Sequence, residues 1–350
     1  MLSIEVTLVN PQSHRVTRSD VAREAGTSVA VVSYVINNGP RPVAPATKQR
    51  VLDAIKKTGY RPNEIARSLA RGTTQTYGLI VPNISNPFIS SMAHALQREA
   101  FANGQVLLLG DAGDDRQRER ELINNLLHRQ VDGLLYTSVD RHPYIELIQA
   151  TGTPFVMLDT VDTAQQICAI RVNERAAAFQ ATQHLIEHGH RDIAIICGPL
   201  DMLNTQDRLN GWRDALQQAG LNVHNKWIFP TTYTRPGGYQ AALQMLKGLL
   251  PQALFATNEL QAFGCLRAMA EHNLTAPQDL ALICFNGTIE SEYNVPSLTT
   301  VRQPVDAMAK TAIEMLRLWD GTPTMREFDF SLQIGESCGC AKCKEVDFPL

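Results

Sequence analysis

Amide, carboxylate and aromatic side chains follow several apolar, strand-like segments of this sequence. They are Asn83, Asn86, Phe88, Asp111, Asp159, Tyr233, Asn258 and Asn286. In an open α/β sheet a ligand lies beyond the carboxyl ends of the strands, which is where these residues fall. Amides and carboxylates supply donors and acceptors, and a flat ring supplies an apolar face, so the set suits a polyhydroxylated ligand. Capping of a turn or helix explains any single one of them equally well.

The seven cysteines do not form a disulfide framework, because their number is odd and their spacing scattered. Four are isolated, and the segment CGCAKC brings together Cys338, Cys340 and Cys343. A structural zinc site closes with four ligands, and no fourth cysteine or histidine lies near this segment in sequence. His188 and His190, one residue apart in a helix-to-strand turn, are expected to be structural. We therefore predict no metal and no cofactor.

Composition indicates a soluble protein with more than one domain. The chain has 350 residues, of which 44% are hydrophobic and 19% charged, and single cores rarely grow beyond about 250–300 residues. It contains no long apolar run and no signal-peptide pattern, so we expect a cytoplasmic protein without membrane association. The absence of GxGxxG, GxxxxGK[ST], GxSxG and HExxH motifs argues against an enzyme.

Charge is distributed unevenly along the chain. Residues 1–72 contain 11 Lys and Arg against 5 Asp and Glu, whereas the remainder contains 21 against 30. A basic head on an acidic body suggests that the head binds nucleic acid, since neutralising phosphates releases counterions.

Three short helices are predicted in this head. Thr17 with Asp20 forms a capping-box-like start for the first, and Ser28 caps the second after a turn that contains Gly26. Two helices joined by so short a turn are typical of a helix-turn-helix. Val21, Ala22, Ala25, Val32 and Val35 are expected in its core, which the third helix closes with Val51, Leu52 and Ile55.

The second helix of such a motif enters the major groove with its first residues against the base edges. Val29 and Ala30 can offer apolar contact to a thymine methyl, and Tyr34 can hydrogen-bond a base or a phosphate. Backbone contacts that position the protein are assigned to Ser28, Ser33 and Asn37. Thr17, at the start of the first helix, completes the predicted DNA-binding set of the head.

Beyond residue 76, apolar strands alternate with helices, which predicts buried parallel sheets of the α/β class. The strand-like segments are YGLIVP, VLLLGD, DGLLYTS, PFVMLD, IAIICGP, WIFPTTY, ALFATN and LALICFN. They suffice for two doubly wound sheets that divide near residues 165–192.

The segments VTRSDVAREAGTSVAVVSYVIN, VLDAIKKTGYRPNEIARSLARG, TYGLIVPNISNPF, LIEHGHRDIAIICGP and SLTTVRQP occur in this order. In order and spacing the chain resembles the LacI/GalR family of bacterial transcription regulators over residues 16–340. The resemblance implies an all-α helix-turn-helix head on a body similar to periplasmic sugar-binding proteins. The expected parts are a tail (1–15), the head (16–61), a hinge helix and linker (62–76), the effector-binding body (77–340) and a second tail (341–350).

The segment between Asn63 and Gly72 reads as a helix of only eight residues, and isolated helices below about 12–15 residues are marginal in water. The family resemblance implies a hinge helix that orders when two subunits bind one operator. Leu69 then matches a wedge in the minor groove. Asn63, Arg67 and Arg71 complete the expected contacts to DNA.

The resemblance also implies two further effector-binding residues, Arg208 in DRLNGW and Asn173 in RVNERAA. The family often has carboxylates at the positions of Asn286 and Asn173, and amides there would leave less negative charge facing Arg208. An anionic effector, such as a sugar acid or a phosphorylated sugar, is one hypothesis. A neutral sugar or a nucleoside is the alternative.

These observations predict a repressor that binds near-palindromic operator DNA as a homodimer or tetramer and responds to a carbohydrate-like effector. Three alternatives remain open: a regulator controlled by a protein partner on its body, a sugar receptor that does not bind DNA, and an enzyme on the same α/β architecture.

Overall fold

The computed structural model describes residues 16–37, 39, 41–62, 67–68, 72–158 and 166–340. The chain divides into two compact units, residues 1–72 and 73–350. Several sequence predictions fall outside the described residues: both tails, Asn63, Leu69, Arg71, Asp159 and Cys343.

The first unit contains the three predicted helices, α1 (Arg18–Glu24), α2 (Val29–Asn37) and α3 (Pro45–Thr58). Thr17 and Asp20 form the predicted capping box of α1, and the Ser28 hydroxyl accepts the N–H of Val31 at 3.3 Å. Gly26, with φ of 60°, makes the left-handed turn that separates α1 from α2. The sequence had therefore specified this unit through its caps and its glycine.

The core of this unit confirms most of the predicted residues and corrects one. Val21, Ala22, Ala25, Val32, Val35 and Val51 are buried. Leu52 was predicted to close the core, but its side chain is 42% exposed. It lies about 100° around α3 from Val51, and Ala54 and Tyr60 occupy the core instead.

The second unit alternates strands and helices, as predicted. Its first part runs β1 (Thr76–Val81), α4 (Pro87–Ala102), β2 (Val106–Asp111), α5 (Arg116–His128), β3 (Gly133–Tyr136), α6 (Ile145–Gln149), β4 (Phe155–Met157), β5 (Ala169–Val172) and α7 (Glu174–Glu187). The chain continues with β6 (Ile193–Cys197), α8 (Leu203–Gln218), a 3₁₀ turn (Asn225–Trp227), β7 (Ile228–Pro230), α9 (Arg235–Leu246), β8 (Ala253–Ala256) and α10 (Glu259–Glu271). It ends with β9 (Ala281–Asn286), α11 (Ile289–Tyr293), β10 (Thr299–Arg302), α12 (Val305–Arg317), β11 (Met325–Phe328) and β12 (Ser331–Gln333).

Two six-stranded sheets result, with strand orders β11-β5-β4-β3-β1-β2 and β12-β10-β9-β8-β6-β7. Among the strands of the described residues, all pairings are parallel except that of β12, which runs antiparallel to β10. The two sheets divide at α7, within the predicted interval. The chain then returns to the first sheet through β11, which the strand-like segments had not predicted.

Buried apolar strands form the centres of both sheets, as their continuous apolar sequence predicts. This arrangement places the carboxyl ends of the strands of each sheet along one edge. Among the described residues, no helix combines the length and apolar character needed to cross a membrane.

Candidate effector cavity and DNA-reading helix

A cavity of about 470 Å³ lies between the two sheets of the second unit. Residues at or just beyond the carboxyl ends of the strands line it: Pro82, Thr137, Leu158, Val172, Pro199, Thr232, Asn258, Asn286 and Gln303. Both sheets contribute, so the cavity lies where the rule for open α/β sheets places a ligand. Its volume is in the range of small-molecule sites.

The most buried charged contact of the cavity is an ion pair between α7 and α8. The Nε of Arg208 donates to the Glu174 carboxylate at 2.5 Å, and both residues are only 6% exposed. Arg208 also donates through Nη1 to the carbonyl oxygen of Thr257, and its guanidinium lies 4.0 Å from the centre of the Phe285 ring. These contacts fix the guanidinium in the cavity wall.

Seven of the residues predicted to bind a ligand line this cavity: Asn83, Asn86, Phe88, Arg208, Tyr233, Asn258 and Asn286. Asn286, with φ of 108°, accepts a hydrogen bond from the Gln303 amide at 3.2 Å. The Tyr233 hydroxyl shares a hydrogen bond of 2.7 Å with Thr205, and burial raises its pKa. It therefore stays neutral at ordinary pH.

Two of these residues also act as helix caps, which was the alternative explanation from sequence. The oxygen of Asn86 accepts the N–H of Phe88 at 3.0 Å at the start of α4. The oxygen of Asn258 accepts the N–H of Gln261 at 2.8 Å at the start of α10. Capping thus holds both amides at the cavity edge.

The structure does not bring Asp111 and Asn173 to the cavity wall. Asp111 accepts the N–H groups of Ile84 and Gly113, each at 3.2 Å, and so orders the turn beyond β1. Asn173 caps α7 by accepting the N–H of Ala176 at 3.0 Å. Their side-chain oxygens are used locally.

Sequence reasoning missed several residues of the cavity wall: Arg171, Glu174, Asn204, Arg235 and Gln303. Glu174 reads in sequence as an ordinary acidic residue in the first turn of a helix, 34 positions from its partner. Nothing in its local pattern connects it with Arg208. Arg171 pairs with Glu327 at 2.9 Å, on a strand that the sequence had not predicted.

In the first unit, the start of α2 presents the residues predicted to contact bases. Val29 is 44% exposed and Ala30 is also exposed. Tyr34 is half-buried, and its backbone carbonyl accepts the N–H of Gly39 at 2.9 Å. Ser33 accepts a hydrogen bond from Asn37 at 3.3 Å. The side chains of Val29 and Ala30 are therefore accessible at the start of α2.

Of the residues predicted in the hinge, Arg67 lies within the described part of the chain. It is helical and half-buried. Gly72, the predicted helix stop, adopts φ of 71° and donates its N–H to the carbonyl oxygen of Ser68 at 2.8 Å. These are the features of a helix C-terminus.

A helix-turn-helix head and a two-sheet body with a polar cavity together define a ligand-responsive transcription regulator. Residues 17–63 match the family of bacterial regulatory proteins, lacI family. Residues 74–315 match the family of periplasmic binding proteins and sugar binding domain of LacI family. The chain belongs to the LacI family and is a DNA-binding transcriptional regulator rather than an enzyme.

Relatives extend the match over nearly the whole chain. The ribose operon repressor of Escherichia coli K12 is 36% identical over 89% of this chain and 95% of its own length. Catabolite control protein A of Priestia megaterium is 34% identical over 86% of this chain and 91% of its own. The solved structure of the Lac repressor dimer bound to operator and the anti-inducer ONPF is 26% identical, with a TM-score of 0.82 over 92% and 99% of the two chains.

Proposed function

We propose that this protein is a cytoplasmic repressor that binds operator DNA as a homodimer and is released or retained according to a carbohydrate in its cavity. The observation that carries this proposal is the polar cavity, built around the buried pair of Arg208 and Glu174, in the same chain as a DNA-reading head. Relatives named for a ribose operon and for the Lac repressor support this assignment. Bacterial operators lie in the cytoplasm.

On DNA, α2 enters the major groove and its exposed start faces the bases. Val29 and Ala30 read apolar features such as thymine methyl groups, and Tyr34 adds a hydrogen bond. Ser28, Ser33 and Asn37 fix the helix to the phosphates. Two heads related by two-fold symmetry require a near-palindromic site.

In the hinge, we retain the proposal that Leu69 enters the minor groove with Asn63, Arg67 and Arg71 beside it. A helix this short gains its order from DNA and from its symmetry mate. The effector moves the equilibrium only by its different affinity for the two arrangements of the body.

The pairing of Arg208 with Glu174 favours a neutral, polyhydroxylated effector at this part of the cavity. The amides of Asn86, Asn258 and Asn286 supply donors and acceptors, and Phe88 supplies an apolar face. Glu174 already neutralises Arg208, which weakens the argument for an anionic effector. A neutral sugar gains hydrogen bonds here without bringing a second negative charge beside Glu174.

A direct test combines an inverted repeat from the DNA upstream of the gene with a panel of sugars. Fluorescence anisotropy measures operator affinity with each sugar, and thermal shift measures binding to the body. We expect one or more neutral sugars to raise the Tm and to change operator affinity. Stabilisation by sugar acids or sugar phosphates alone would overturn the neutral-effector proposal, and failure to bind any inverted repeat would overturn the repressor proposal.

A further inference from the structure

Two histidines and two cysteines from distant parts of the chain meet at one end of α7. We refer to His184, His188, Cys338 and Cys340 as the His–Cys cluster. The Sγ of Cys340 lies 3.0 Å from Nε2 of His188 and 3.4 Å from Nε2 of His184. The Sγ of Cys338 lies 3.4 Å from Nε2 of His184 and 3.3 Å from the Sγ of Cys340.

The ligand atoms of His184, Cys338 and Cys340 all lie within 4.8 Å of one another, as three ligands of one ion would, and Nε2 of His188 adjoins this trio through its contact with Cys340. Zn²⁺ binds sulfur at about 2.3 Å and imidazole nitrogen at about 2.0–2.1 Å, so its tetrahedral ligand atoms lie roughly 3.3–3.8 Å apart. The distances of 3.3–3.4 Å among His184, Cys338 and Cys340 need only small outward movements of the side chains to admit an ion, and the exposed ring of His188 would turn inward to supply the fourth ligand. A disulfide between the two cysteines would require their sulfur atoms at about 2.05 Å.

Helix periodicity explains why the histidines can act together. His184 and His188 are four residues apart, so their rings lie on one face of α7, with centroids 4.3 Å apart. In the sequence, His188 stands near His190, but residues two positions apart do not lie on the same face of a helix. The sequence also shows no histidine near the three C-terminal cysteines, because the histidines of α7 lie about 150 positions earlier in the chain.

Hydrogen bonds from outside the cluster hold two of its side chains in place. Nδ1 of His188 lies 2.8 Å from the carbonyl oxygen of His184, so this nitrogen donates its proton and Nε2 keeps its lone pair for a ligand. The Thr299 hydroxyl donates to the Sγ of Cys338 at 2.9 Å. Metal-ligating histidines typically have such a second partner.

The C-terminal segment that carries the cysteines is itself fixed to the second sheet. Ser337 donates through Oγ to the carbonyl oxygen of Leu282 on β9 at 2.6 Å and accepts the N–H of Thr299 at 2.9 Å. Cys338 is 1% exposed, whereas His188 lies on the surface. One side of the cluster is therefore rigid and buried, and the other is open for an ion to enter.

We propose that the His–Cys cluster binds one Zn²⁺ ion. Two sulfur and two imidazole ligands in a tetrahedron suit this borderline-soft ion. Four protein ligands close the coordination shell, which is typical of a structural rather than a catalytic site. The ion links the C-terminal end of α7 to the segment beyond β12, and α7 carries Glu174 at its opposite end.

The test uses the full-length protein, stripped with a chelator, kept reduced, and titrated with Zn²⁺ or Co²⁺. We expect about one equivalent of Zn²⁺ per chain by elemental analysis, together with a rise in Tm. Co²⁺ should produce thiolate charge-transfer absorption and the intense d–d bands of tetrahedral coordination. His188→Ala and Cys340→Ser should each abolish the stoichiometric ion and the Tm rise.

His128→Ala is the matched control for His188→Ala, because His128 is an exposed histidine in the last turn of α5 and should leave metal uptake unchanged. His188 lies on the surface, so its variant decides the test even if Cys340→Ser folds poorly. The proposal is overturned if the wild type takes up no ion, if His188→Ala retains the full equivalent, or if mass spectrometry of the protein as purified, before any reductant is added, shows a Cys338–Cys340 disulfide. Sugar binding is measured separately, so failure here leaves the effector proposal standing.

Discussion

The buried pair of Arg208 and Glu174 allows a quantitative test of how the cavity is built. Both side chains are at most 7% exposed, so removing one partner leaves an uncompensated buried charge at a cost of about 3–5 kcal/mol. Arg208→Met and Glu174→Gln should each lower the free energy of unfolding by that amount. At about 2–4 °C per kcal/mol for large domains, the Tm falls by roughly 6–20 °C.

The double variant Arg208→Met/Glu174→Gln removes both charges and should lose less stability than the two single losses combined. We expect a coupling energy of about 0.5–3 kcal/mol from urea unfolding of the four proteins. Arg175→Met is the matched control, because Arg175 forms a pair of similar length with Asp214, 2.6 Å, at a mostly exposed site. That pair should contribute only about 0–1 kcal/mol.

Strict additivity of the two single variants, or a loss in Arg175→Met as large as in Arg208→Met, would refute this account of the pair. A functional readout is also available from Glu174→Gln. It leaves the Arg208 guanidinium without this carboxylate, so the variant should bind anionic ligands such as sugar acids more tightly than the wild type does. Thermal shift with matched neutral and acidic sugars measures this change.

Three further outcomes are expected. Gly211→Ala should lower the free energy of unfolding by about 1–3 kcal/mol, as measured with urea. A methyl group at this position meets the backbone of α7, at the Arg175 carbonyl oxygen and 2.8 Å from the Phe179 nitrogen. An unchanged unfolding midpoint would show that α7 and α8 can move apart to accept the methyl group. Burial raises the pKa of the Glu259 carboxyl, so its contribution to stability is complete below about pH 4.3 and is lost as pH rises through the folded-state pKa. The Tm of the wild type relative to Glu259→Gln should therefore fall as pH rises above that value, and a constant difference would contradict the assignment. Leu69→Gly should weaken operator binding far more than nonspecific binding in gel shifts, and equal losses would count against the minor-groove wedge.

Local sequence patterns determined the elements of this protein and much of its candidate site. Caps at Thr17 and Ser28 and the turn at Gly26 specified the helices of the head, because each acts through neighbours within a few residues. Apolar runs specified the main strands for the same reason. The rule for strand ends then found Asn86, Phe88 and Asn258, and family resemblance supplied Arg208.

Tertiary structure alone decided which of these residues face the cavity and which partners they meet. Asn173 has the same residue type as the lining amides and Asp111 is the corresponding carboxylate, yet local N–H groups use their oxygens. Leu52 continues the apolar pattern of α3 but points away from its core.

The ion pair joins Glu174 to Arg208, which are 34 residues apart. The contact between α7 and the C-terminal cysteines joins positions about 150 residues apart. Such contacts depend on how two sheets and their helices pack. The periodicity of apolar residues within one helix carries no information about that packing. The packing is determined by how the whole chain buries its apolar residues.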